Sequence, residues 1–201
     1  MSSSHIIWTV SRSLQQILWE ECQTDTVLNN IMGSAAAIVL SNPTDVQRDA
    51  ANKLSLWLYQ ITENEYVKNQ PPMRANGDNT SQMAPLALNL FYLITPFAGP
   101  PAELDQLLLG KIMQVLYDNA ILLVRNTPGG DFEELRIVLC RLTLEELTRI
   151  WEALREPYRL SVCYQIRVAH VESTRVVGRA RVIDRVAGFG DVPSEAVGVQ
   201  L

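Results

Sequence analysis

An α+β fold is predicted: a mostly antiparallel sheet with about three packed helices, plus an extended C-terminal arm. Three observations predict it. Residues Leu142 to Ser173 read as a capped amphipathic helix, a proline-marked break and a long alternating strand. Helical and strand-type apolar periodicities interleave along the chain with turn-like links, the pattern of helices laid on an antiparallel sheet. From Ser173 onward the composition shifts toward arginine, glycine and β-branched residues.

The first helix is expected from about Ile6 to Cys22, with Ile7, Val10, Leu14, Ile17, Leu18 and Cys22 as its apolar stripe. Trp8 and Trp19 are separated by close to a whole number of turns. They share one side of the helix, off the centre of the stripe, with Arg12 and Gln15 between them. Two readings stand together: tryptophans that flank the core under their own chain, or a strip facing a partner, since Trp is favoured at interface hot spots.

Next, SAAAIVLSNP (Ser34 to Pro43) is an apolar run closed by Asn42-Pro43, expected as an edge or central strand ending in a turn. In Leu54 to Ile61 both alternating sets are mostly apolar: Leu54, Leu56 and Leu58 against Trp57, Tyr59 and Ile61. Such a strand is buried on both faces. The sheet then needs layers on both sides, or helices on one side and a neighbouring subunit on the other. Asn64 to Ala84 carries Pro71-Pro72 and Asn76-Gly77 and lacks periodicity; loops of that length are functional or mobile. Pro85 to Ile94 is a third strand, with Leu86, Leu88, Leu90 and Tyr92 on one face.

A second helix is expected over roughly Ala102 to Tyr117, striped by Leu104, Leu107, Leu108, Ile112, Val115 and Leu116, with Asn119 as its C-terminal cap. Thr127 to Gly130 is a turn, and Leu135 to Leu142 a fourth strand. In the third helix Thr143 and Glu146 stand at capping-box spacing. Leu144, Leu147, Ile150, Trp151 and Leu154 follow at helical spacing, and Pro157 stops the helix. Leu160, Val162, Tyr164, Ile166 and Val168 then alternate with Ser161, Cys163, Gln165 and Arg167, which is strand periodicity.

Composition bounds the function. The chain has 201 residues, 47% hydrophobic and 19% charged, with a formal charge of -5. That supports one core with an extension and disfavours disorder or a nucleic-acid role. No apolar run reaches bilayer-spanning length, and MSSSHIIWTVSRSLQQ lacks a secretory leader pattern, so cytoplasmic synthesis is expected. Cys22, Cys140 and Cys163 have no metal-ligand spacing and are expected as buried reduced thiols. His5 and His170 have no ligand companion at a suitable spacing. Glu133-Glu134 and Glu145-Glu146 are expected in solvated or capping roles. Nucleophile elbow, P-loop and dinucleotide fingerprints are absent from the sequence. No catalytic, cofactor-binding or metal residues are assigned, and no cofactor is expected.

The domain reading is residues 1–173 as the α+β domain and 174–201 as an Arg-rich flexible arm. Arg175, Arg179, Arg181 and Arg185 crowd that arm with only Asp184 in opposition. It is read either as a solvated tail or as an arm that adds a strand to a partner's sheet edge and matches acidic groups.

Three blocks in order, APLALNLFYLITPFA (Ala84 to Ala98), LLGKIMQVLYDN (Leu108 to Asn119) and LTLEELTRIWEALREPYRLSVCYQIRV (Leu142 to Val168), together resemble the tail-terminator, or cap, proteins of phage-tail-like contractile injection systems. LSLWLYQITEN (Leu54 to Asn64) fits the same pattern. The resemblance implies a phage tail-terminator-like fold and a non-enzymatic role as a hexameric ring on the inner tube, distal to the baseplate. There it would end tube growth and tie tube to sheath. Implied partners are further copies of the chain, the tube protein and the sheath protein, with no nucleic acid and no membrane insertion. Longer relatives carry a further C-terminal extension. Candidate partner-binding residues are Trp8, Arg12, Trp19, Arg175, Arg179, Arg181 and Arg185. The alternatives are a baseplate or tube-completion adaptor of the same kind of particle, and a small enzyme or ligand-binding α+β domain.

Overall fold

The computed structural model describes residues 5–66, 73–74, 80–82, 85–125, 132–171 and 176–178. From the N-terminus the elements are α1 (Ile6–Cys22), α2 (Thr26–Met32), β1 (Ile38–Val39), α3 (Pro43–Val46), β2 (Leu54–Glu63), β3 (Met73–Arg74), β4 (Thr80–Gln82), β5 (Leu86–Pro96), α4 (Glu103–Asp118), β6 (Ile121–Arg125), β7 (Phe132–Leu139), α5 (Leu144–Leu154), β8 (Val162–Val171) and β9 (Val176–Gly178). The main sheet has the order β1-β2-β5-β8-β7-β6, antiparallel except for the short parallel β1–β2 pair. The expected mostly antiparallel α+β architecture is present, with its three long helices in place.

The longest, most apolar strands take the centre. On one face Leu56, Leu90, Tyr92, Ile94, Ile137 and Ile166 meet α1 through Val10, Leu14 and Leu18, and α4 through Leu108, Ile112 and Val115. The α1 stripe is rotated slightly from expectation: Ile6 and Ser11 are buried, while Ile7 and Ile17 are half-buried. Ser11 tolerates burial because its hydroxyl pairs with the Tyr92 hydroxyl at 2.7 Å, as a buried polar group requires. Burial pushes the Tyr92 phenol up to about 12.

On the opposite side α5 docks through Trp151, its one buried residue. Trp151 is 1% exposed and donates from the indole N–H to Ser161 Oγ at 3.3 Å. Ser161 and Cys163 alternate with Val162 and Tyr164, so they belong to the side away from α1 and α4. Leu93 and Cys163 are buried there, directly paired in the β5–β8 register. The α5 start is the capping box predicted from sequence: Thr143 Oγ1 accepts from the Glu146 N–H at 3.3 Å, and the Glu146 carboxylate accepts from the Thr143 N–H at 2.7 Å. Those Thr143 hydrogen bonds hold the Glu146 carboxyl below its usual range.

Four expectations are corrected. β2 is buried on both faces only over Leu54–Leu56, and Ile61 is 46% exposed. A bulge between Leu58 and Gln60 breaks the alternation there. Only Ile38–Val39 of the SAAAIVLSNP run is strand; Asn42 instead caps α3, its side chain accepting from the Asp45 N–H with Pro43 in the first turn. Cys140 sits just past β7 and is half-buried, whereas Cys22 and Cys163 are buried. Glu133 is no solvated carboxylate, as described below.

Within the long 64–84 segment, β3 and β4 form a small antiparallel sheet with β9. The described piece of the expected arm thus pairs with its own chain.

Candidate partner-binding surfaces

The structure separates the two tryptophans of α1. Trp8 is 59% exposed, and the Arg12 guanidinium lies 5.5 Å from its ring centre, a cation–π contact. Arg12 also donates to Gln15 Oε1 at 2.8 Å, and Gln15 in turn donates to the Ile38 carbonyl at 2.5 Å. The chain Ile38–Gln15–Arg12–Trp8 therefore holds an exposed aromatic–cationic platform in place. Trp19 is half-buried and packs on the core. Of the arm candidates, Arg175, Arg179, Arg181 and Arg185 all lie outside the described residues.

A second surface was not anticipated. β6 is an edge strand of the main sheet. Its alternation places Leu122 and Val124 in the core, while Ile121 is 55% and Leu123 61% exposed. Across the β6–β7 register Ile121 faces Arg136, Leu123 faces Glu134 and Arg125 faces Phe132. Phe132 is also exposed, and the Arg125 guanidinium lies 4.4 Å from its ring centre. The result is an exposed sheet face on which apolar side chains stand opposite charged ones, beside the strand that ends the sheet among the described residues. The sequence signal was the outward apolar set of ILLVR, hidden because the inward set is apolar too.

His170 and Glu133 form a tie that sequence spacing concealed. The Glu133 carboxylate accepts from the His170 backbone N–H at 2.7 Å and meets the ring Nδ1 as well. The hydrogen bond to the Glu133 carboxylate raises the His170 imidazole above its ordinary 6.5, outweighing the lowering by burial. A raised histidine contributes stability that is complete below the unfolded pKa and is lost as pH rises through the folded one. Urea unfolding at about pH 6 and about pH 9 should therefore show a larger loss on alkalinisation in wild type than in His170→Gln; equal losses would refute the tie.

Among the described residues no group of three or more His, Cys, Asp or Glu could hold a metal ion, and no helix is long and apolar enough to cross a membrane. The gap bounded by Leu14, Leu18, Leu56, Tyr92, Leu116 and Ile166 is wholly apolar core.

A mixed six-stranded sheet packed with helices, carrying exposed aromatic and apolar side chains, defines an α+β domain. Residues 9–185 match the Pvc16 N-terminal domain family model, and the chain belongs to that family. It is similar to the chain described as the PVC sheath/tube terminator in the extended state of an extracellular contractile injection system, with 17% identity and a TM-score of 0.53, over 87% of this chain and 64% of that one. It is also similar to the tube-terminating cap of the anti-feeding prophage, with 17% identity and a TM-score of 0.49, over 81% of this chain and 58% of that one. The chain therefore spans less than two thirds of either protein. No curated protein matches its sequence.

Proposed function

We propose that the chain is a cap, or tube terminator, of a contractile injection particle. It forms a ring homo-oligomer, a hexamer, on the inner tube distal to the baseplate, ends polymerisation there and links tube to sheath. Family membership over residues 9–185, together with the fold it has in common with a sheath/tube terminator, carries this reading. A head-to-tail ring needs two different complementary patches per subunit, and the Trp8–Arg12 platform and the outer β6–β7 face are two such patches. Its partners are copies of itself, the tube protein and the sheath protein. A charge of -5 argues against nucleic acid. Residues 1–173 supply the ring body. The arm 174–201 meets sheath or a neighbouring subunit, with Arg175, Arg179, Arg181 and Arg185 matched to acidic groups. The chain is made in the cytoplasm and is incorporated into the particle, and its role is mechanical, not catalytic.

Particles assembled without this chain should show tubes and sheaths of uncontrolled length in negative stain. Uniform particles of normal length would overturn the proposal.

A further inference from the structure

Cys140 and Cys163 face each other across adjacent antiparallel strands. The β7–β8 register runs through Leu139 opposite Tyr164, which places Cys140 directly opposite Cys163. The Cys140 backbone N–H donates to the Cys163 carbonyl at 2.8 Å, continuing the ladder one step past the end of β7. Residues opposed at such a position have Cα atoms about 5.5 Å apart, within the roughly 4.4–6.8 Å that a disulfide spans. Directly opposed side chains leave the sheet on the same side, and each thiol is the largest influence on the other's pKa. Tyr59 reaches the pair from β2, its hydroxyl 3.1 Å from Cys163 Sγ.

We propose that Cys140 and Cys163 form a thiol–disulfide exchange site that takes a low-molecular-weight disulfide as oxidant and closes an internal cross-strand disulfide. The two sulfurs have different roles. Cys140 is the half-buried one; its pKa is lowered by the hydrogen bond from Cys163 and, further, by the Arg167 charge, against the desolvation that raises it. It is the attacking thiol, since the thiolate is the nucleophile. Its proton passes to solvent, and its sulfur displaces one half of the small disulfide as a thiolate, leaving a mixed disulfide on Cys140. Cys163 is buried, and the hydrogen bond to Cys140 is the largest cause of its raised pKa. Capping Cys140 removes that influence. Cys163 then gives up its proton and attacks Cys140 Sγ, expelling the second small thiolate. Two protein thiols lose two electrons and two protons in all, and the small disulfide becomes two thiols.

Closure joins the end of β7 to β8 around a loop that contains α5. It therefore ties together the two ends of the segment that carries α5. Cys22 is the internal control: it is buried, and desolvation pushes its thiol up to about 11.

The test is incubation of the folded full-length chain with oxidised glutathione, followed by acid quench, alkylation of the unfolded chain and peptide mass analysis without reductant. The expected product is a linked Cys140–Cys163 peptide pair, with Cys22 alkylated. Cys163→Ser should stop at a stable glutathione adduct on Cys140, while Cys140→Ser should give neither link nor adduct. Recovery of all three cysteines alkylated, or of a Cys140 adduct in the wild-type chain that never resolves, would overturn the proposal.

Discussion

Trp151→Ala should destabilise the protein by about 3–5 kcal/mol, the range for truncating a large buried aromatic. Trp151 is the one buried residue of α5. Its ring meets Tyr158 edge-on at 6.3 Å and 74°, and its N–H satisfies Ser161, itself 4% exposed. Truncation opens a cavity and also leaves the Ser161 hydroxyl without that partner, a cost additional to lost transfer energy. Domains have only about 5–15 kcal/mol in hand, so the variant should unfold at a markedly lower urea concentration. Leu144→Ala, in the first turn of the same helix but 66% exposed, should stay within about 0.5 kcal/mol of wild type. Urea titration followed by circular dichroism measures both. A loss below about 1 kcal/mol for Trp151→Ala would mean that α5 is not docked through this side chain.

What the sequence made legible follows from length and period. α1, α4, α5, β2, β5 and β8 are long enough for their apolar residues to repeat, and each is found close to its expected place. α2 and α3 are too short for a helical period to emerge. Their only signals were local: Asp25, whose side chain accepts from the Val27 and Leu28 N–H groups, and Asn42-Pro43, which reads equally as a turn. β6 was missed for the opposite reason, since an all-apolar run shows no alternation.

The candidate surfaces divide the same way. The spacing of Trp8 and Trp19 put them on one side of α1, but which is covered depends on what packs against each end of the helix. Only the fold sets that. Glu133 and His170 meet across a sequence separation of 37 residues, so no local pattern could pair them. Cys140 and Cys163 become neighbours for the same reason, through the β7–β8 register.

Leu123→Lys should leave the fold intact and block assembly. Leu123 is 61% exposed, so the isolated subunit loses little burial when it is replaced. In the β6–β7 register the new lysine stands opposite Glu134, an opposite-charge cross-strand pair that stabilises by about 0.2–1 kcal/mol. Lysine on an edge strand is also a natural device against edge-to-edge pairing. Its effect should therefore fall on association: a desolvated charge inside an apolar contact weakens binding by at least about 2 kcal/mol, roughly thirtyfold. Trp8→Ala should weaken association comparably from α1, because an aromatic anchor is lost. Native mass measurement at matched concentrations should find rings in wild type and monomers for either variant. A head-to-tail contact joins unlike patches, so mixing the variants should restore one intact interface and give a heterodimer that cannot close. Wild-type rings from Leu123→Lys alone would remove the β6–β7 face from the interface.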